Sequence, residues 1–162
     1  MKQENKQVKN QNVKKLTAFI LFATVFSWCT FTYLAPKPFF DCDEGQYTFY
    51  LYSQSSNAKI ITVNAKSAKE QIKKLRGIKG QSVFLDYSLM GEQSSLNWAS
   101  GQIASKNATL VFKEEGEWGK SEYYYSPLIA NFCVINGNKV NLHMVTNERG
   151  ISIGSPLLFG SY

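Results

Sequence analysis

Residues 16–35 read LTAFILFATVFSWCTFTYLA, one apolar run without a charge. At 1.5 Å per residue, twenty residues span about 30 Å, the thickness of a bilayer's hydrocarbon core. In lipid every backbone amide must be bonded inside the segment, so the run predicts a transmembrane helix over 16–35. Trp28 and Tyr33 stand towards its outer end, where amphipathic rings favour the interface.

Beyond Ala35 the pattern shortens. Pro36 and Pro38 end any helix, and Phe39 and Phe40 stay within reach of the membrane interface. Residues 36–45 then read as a linker, with the acidic cluster Asp41, Asp43 and Glu44 as solvated charges. Aromatic and β-branched runs predict strands at 47–53 and 59–63, joined as a hairpin. The period then changes. Ala65, Ala68, Ile72 and Leu75 recur at spacings of three and four, which predicts a helix over 66–76. Ser67 and Glu70 match a capping box, and Gly77 suits its stop.

A strand at 82–87 follows. Leu89, Leu96, Ala99 and Ile103 mark a second helix from about Ser94. Further strands are predicted at 108–113, 122–125, 131–135, 139–146 and 151–153. Asn136-Gly137 tolerates the positive φ angles of a tight hairpin turn. Residues 46–162 therefore predict an α+β domain, a mostly antiparallel sheet with two helices on one face.

Charge changes how this order is read. Five lysines against Glu4 give residues 1–15 a net +4, with Lys14 and Lys15 next to the apolar run. That leaves 13 Lys+Arg against 11 Asp+Glu for the rest. The overall +6 is thus mostly a basic tail beside a nearly neutral domain, which argues against nucleic acid as partner. Positive-inside asymmetry puts residues 1–15 in the cytoplasm and the domain outside, at the cell envelope. The rivals are a cleaved signal peptide, weakened by Tyr33 at a position where cleavage wants a small residue, and a buried core helix.

Candidate chemistry is sparse. The single histidine, His143, sits in VNLHMV and points away from Val140, Leu142 and Met144. It reads as a polar residue on the open face of a sheet. A hydrolase-type envelope enzyme would need it beside a carboxylate, and no motif marks one. No cofactor or metal pattern is present, so the reading is a non-catalytic module. Lys66, Lys69, Lys73 and Arg76 form a basic stripe for an anionic surface, either lipid headgroups or an anionic envelope polymer, or else a solvated helix face. Cys42 and Cys133 are either a disulfide across the outer domain or two buried free thiols. Tyr123, Tyr124 and Tyr125, with Trp118 nearby, suit sugar or peptide binding, or core packing and cross-strand pairing.

The carboxyl end, NKVNLHMVTNERGISIGSPLLFGSY, carries Asn141, the step Ile153-Gly154-Ser155-Pro156 and terminal Tyr162. With Tyr124, Ser126 and Pro127, it resembles the YwmB-like family of spore-forming Gram-positive bacteria. The resemblance implies an α+β fold and a secreted or membrane-anchored protein, and it carries over no catalytic residue.

Overall fold

The computed structural model describes residues 17, 19–24, 27, 38–51 and 59–158. Two compact units divide at Pro36. In the first, the described residues are helical, and Thr24 Oγ1 donates to the Leu21 carbonyl at 2.8 Å. Phe19, Ile20, Leu21 and Phe22 are 54 to 70 % exposed. Among the described residues no helix is long and apolar enough to cross a membrane. The expectations for Lys14, Lys15, Trp28, Tyr33 and most of 16–35 lie outside the described residues.

The second unit is α+β. Strands β1 (Gln46–Leu51), β2 (Lys59–Asn64), β3 (Ile78–Asp86), β4 (Thr109–Gly116) and β5 (Gly119–Tyr125) alternate with helices α1 (Ala65–Lys74), α2 (Tyr87–Met90) and α3 (Glu92–Ser105). The short pair β6 (Cys133–Ile135) and β7 (Asn138–Val140) follows, then β8 (Leu142–Thr146) and β9 (Gly150–Ser155). Seven strands form one sheet in the order β2-β1-β3-β9-β8-β5-β4, and every pairing is antiparallel. The β6–β7 hairpin stands apart as its own two-stranded sheet.

Alternation builds the core. Tyr47 and Phe49, Val83 and Leu85, Ile151 and Ile153, and Leu142 and Met144 sit two apart on their strands and so share one face. Ala68 and Ile72 of α1 and Ala99 of α3 belong to the same buried cluster, so both longer helices cover that face. The predicted stripe holds, but the predicted cap does not. Asn64 Oδ1 accepts from Ser67 N–H at 3.0 Å, because the helix starts straight from β2 and the strand's last residue caps it.

The linker expectation for 36–45 is corrected over its described part, residues 38–45. Phe40 is fully buried in the core, and Cys42 is buried beside it. The Tyr47 hydroxyl accepts from Cys42 N–H at 2.8 Å and lies 3.0 Å from the carbonyls of Phe40 and Cys42. Trp98 Nε1 donates to the Asp41 carbonyl at 2.8 Å. Short-range pattern could not show this, since the cluster that encloses Phe40 draws on residues as distant in the chain as Ile151 and Ile153.

The predicted strand 139–146 is likewise two strands. They part at Asn141, which is fully buried. Its Oδ1 accepts from Ser126 N–H at 2.7 Å, and its Nδ2 donates to the carbonyls of Ser126 (2.7 Å) and Ile129 (3.0 Å). One carboxamide thus satisfies three backbone groups of the loop after β5. The Asn136-Gly137 turn is as predicted, with φ of 49° and 79°.

Candidate functional site

The strongest polar cluster surrounds His143, on the sheet face opposite the helices. Direct cross-strand register places Phe112, Tyr123, His143 and Gly154 side by side on β4, β5, β8 and β9. Tyr123 stacks on Phe112 and on His143, each with ring centroids 4.3 Å apart. Beside the histidine, Gly154 leaves room for the Leu158 side chain, whose Cδ2 would lie 2.7 Å from an added Cβ.

His143 is 4 % exposed, which corrects its expected place on an open face. The chain after β9 lies over this face and covers the ring. Leu158 N–H donates to Nδ1 at 3.3 Å, so that nitrogen is unprotonated and the neutral ring carries its proton on Nε2. Nε2 lies 3.0 Å from Ser121 Oγ and donates to it. A serine nucleophile needs the reverse polarity, its hydroxyl donating to an imidazole lone pair. As arranged, the pair orients the ring and satisfies a buried hydroxyl.

Burial pushes the His143 pKa down to about 4. Between that value and the unfolded value of about 6.5, the unfolded chain binds more protons, so stability rises with pH. It is fully present above the unfolded pKa and is lost as pH falls from there through the folded value. At about 1.4 kcal/mol for each unit separating the two, the full swing is on the order of 3 kcal/mol. Proton NMR of the single histidine is expected to show no titration between pH 5 and 8. A midpoint near 6.5 would contradict the buried neutral ring.

The three tyrosines divide between faces. Tyr123 joins the histidine ladder, while Tyr124 packs against the helix-side core. Burial first, then the Glu122 carboxylate, raises the Tyr124 pKa to about 12. Glu122 is itself buried and pairs with Lys120 Nζ at 2.6 Å. Trp118 caps the β4–β5 turn with its indole against Gly116, 44 % exposed. The tyrosines and Trp118 therefore do not gather on one surface.

The basic stripe is only partly a helix face. Lys66, Lys69 and Lys73 are exposed on α1, and Arg76 lies beyond its end. Lys69 Nζ sits 3.2 Å from Asp43 and 3.7 Å from Asp41, so the acidic cluster holds a lysine of the stripe. Cys42 and Cys133 are both free thiols, the second of the two alternatives, although only Cys42 is fully buried. Cys42 is in the helix-side core, where burial raises its pKa, and Cys133 is half-buried on the separate hairpin. Sequence reasoning missed the buried roles of Phe40, Gln81, Ser126 and Asn141. The one available signal was a polar Asn inside an apolar strand pattern, which implies a buried partner for its amide.

Fold and site together define an antiparallel α+β domain whose histidine belongs to a packed ladder of rings. Compared with family models, with curated proteins and with solved structures, the chain matches none.

Proposed function

We propose that this chain is a single-pass membrane-anchored protein, with residues 1–15 in the cytoplasm and its α+β domain outside as a non-catalytic binding module of the cell envelope. The observation that carries this is the run Phe19, Ile20, Leu21 and Phe22, helical and exposed on four successive residues. Successive helical residues point in directions about 100° apart, so this segment is apolar all round. Burying each side chain in lipid is worth about 1.5–3 kcal/mol. The lysine flank and the twenty uncharged residues support the same reading.

A binding rather than catalytic role is supported by His143. Its two ring nitrogens engage Ser121 and the Leu158 amide, and its ring stacks on Tyr123 of the neighbouring strand. The resemblance to the YwmB-like family, with its Gram-positive source and envelope location, rests on residues with visible structural work. Asn141 ties a loop, and Gly154 admits Leu158.

Topology is testable with an impermeant maleimide on intact cells. In a chain with Cys29, Cys42 and Cys133 replaced by alanine, cysteine introduced at the exposed Glu148 is expected to label, and cysteine at Gln3 only after lysis. The opposite pattern, or labelling of both in intact cells, would overturn the orientation.

A further inference from the structure

The antiparallel register gives the domain two chemically different ends. At one end β1 finishes at Leu51, which pairs with Lys59 and Ile78, the first residues of β2 and β3. Gln81 pairs with Ser155 at the close of β9, and Tyr124 pairs with Leu142 at the start of β8. The α1 helix starts at the far end, where Ala65 N–H donates to the Gly45 carbonyl, and finishes four residues before Ile78. Its last turn therefore lies at this first end. Lys73, Lys74, Arg76 and Lys79 gather there, all exposed, and Lys59 lies at the same edge.

Acidic residues collect at the other end. Asp86 closes β3, Glu92 opens α3, Glu115 and Glu117 flank the β4–β5 turn, and Glu148 sits between β8 and β9. The seven residues of β5 separate these two ends by about 20 Å.

The basic end is also where the chain enters the domain. Phe39 N–H donates to Gln81 Oε1 at 3.0 Å, and Lys106 Nζ lies 4.9 Å from the Phe39 ring centroid. The Lys106 carbonyl in turn accepts from Ser126 Oγ, which begins the loop to the β6–β7 hairpin. That excursion, residues 126–141, contains no acidic residue. Phe132 and Val134 share the outer face of the hairpin with Lys139, whose Nζ sits 4.6 Å from the Phe132 centroid. With Leu128 these apolar side chains are 43 to 66 % exposed. Aromatic and aliphatic groups beside lysines, with acids excluded, match the headgroup layer of an anionic bilayer. In the sequence only residues 36–38 stand between Phe39 and the apolar run.

We infer that this end of the domain, with Leu128, Phe132 and Val134 on its excursion after β5 and Lys73, Lys74, Arg76 and Lys79 on its α1 side, rests on the anionic surface of the bilayer that the apolar run enters. The inference rests on the anchor reading and adds to it the surface that faces lipid. It also gives half of the expected basic stripe a partner, Lys73 and Arg76, while Lys66 and Lys69 lie nearer the acidic end.

Photocrosslinking separates the two readings. Benzoylphenylalanine replaces Phe22, Phe132 or Trp118 in the full chain, reconstituted in vesicles of phosphatidylcholine with phosphatidylglycerol. Lipid adducts are expected at positions 22 and 132 and not at 118. The adduct at 132 should weaken in vesicles of phosphatidylcholine alone, whereas that at 22 should not. Adducts at 22 without any at 132, or adducts from 132 to a second copy of the chain, overturn the inference and leave the anchor intact. Lipid adducts at neither 22 nor 132 overturn both. Equal yield at 132 in the two vesicle types overturns the electrostatic part.

Discussion

Replacing Asn141 with alanine is expected to lower stability by about 3–5 kcal/mol, among the largest effects of any single change in the domain. The side chain is fully buried and serves Ser126 N–H, Ser126 C=O and Ile129 C=O at once. Alanine removes all three bonds. Ser126 N–H and Ile129 C=O lose the partner given by Asn141, and Ser126 C=O keeps only a long bond of 3.4 Å from Ile129 N–H. Each buried group left unpaired costs about 1–3 kcal/mol where water cannot enter. The effect should spread, because Ser126 also donates to the Lys106 carbonyl at the end of α3 and accepts from Leu128 N–H. Thermal denaturation followed by circular dichroism should show a midpoint lowered by about 10–20 °C for a domain of this size. Aspartate should rescue little, since it cannot donate to the two carbonyls without a proton. Asn138→Ala, on the exposed side of the same hairpin, should change stability by less than about 0.5 kcal/mol. A loss below about 1 kcal/mol at Asn141 would contradict the tether.

Phe40→Ala is expected to cost about 3–5 kcal/mol, while Phe39→Ala costs under about 1 kcal/mol. Phe40 is fully buried among the sheet and helix side chains, and its neighbour is 37 % exposed. Their rings meet edge to face at 4.8 Å, so adjacency in sequence and space does not make them equivalent. A cavity the size of a phenyl ring must form in the first case, whereas the second removes a partly solvated ring. Because the Tyr47 hydroxyl and Trp98 also bind backbone groups of residues 40–42, a fragment starting at Gln46 should not fold cooperatively. Urea titration of the two variants and the fragment would check this. Equal costs at Phe39 and Phe40, or a stably folded fragment, would restore the linker assignment for 36–45.

Much of the fold is legible along the chain because its signals are local. Ala65, Ala68 and Ile72 repeat at helical spacing and are buried on α1. Val83 and Leu85, or Ile151 and Ile153, alternate and are buried on one sheet face. Asn136-Gly137 turns the hairpin because both residues accept positive φ. Each of these properties belongs to a few adjacent residues, and neighbouring chain adds little to it. The α1 cap shows where such locality stops. Ser67 and Glu70 fit a capping box, yet the cap falls three residues sooner because β2 delivers Asn64 directly to it.

The candidate site was far less legible. Val140, Leu142 and Met144 mark one face of a strand, so His143 on the other face reads as open. Its burial comes from Leu158, fifteen residues on, and its stacking from Tyr123, twenty residues back. Neither neighbour is implied by the residues beside it. The same holds for Glu122, whose burial depends on which face of β5 meets the helices.

By itself, then, the sequence determined the twenty-residue uncharged run, its lysine flank, the alternating strands and the helical stripes, all set by composition and period over short stretches. Tertiary structure alone decided that Phe40 belongs to the core, that Asn141 divides a strand and that His143 is enclosed. It also decided that the lysines after α1 and the apolar hairpin share the end where the chain enters. Those outcomes depend on strand order and register, which bring together residues far apart in the chain, and no local pattern carries that information.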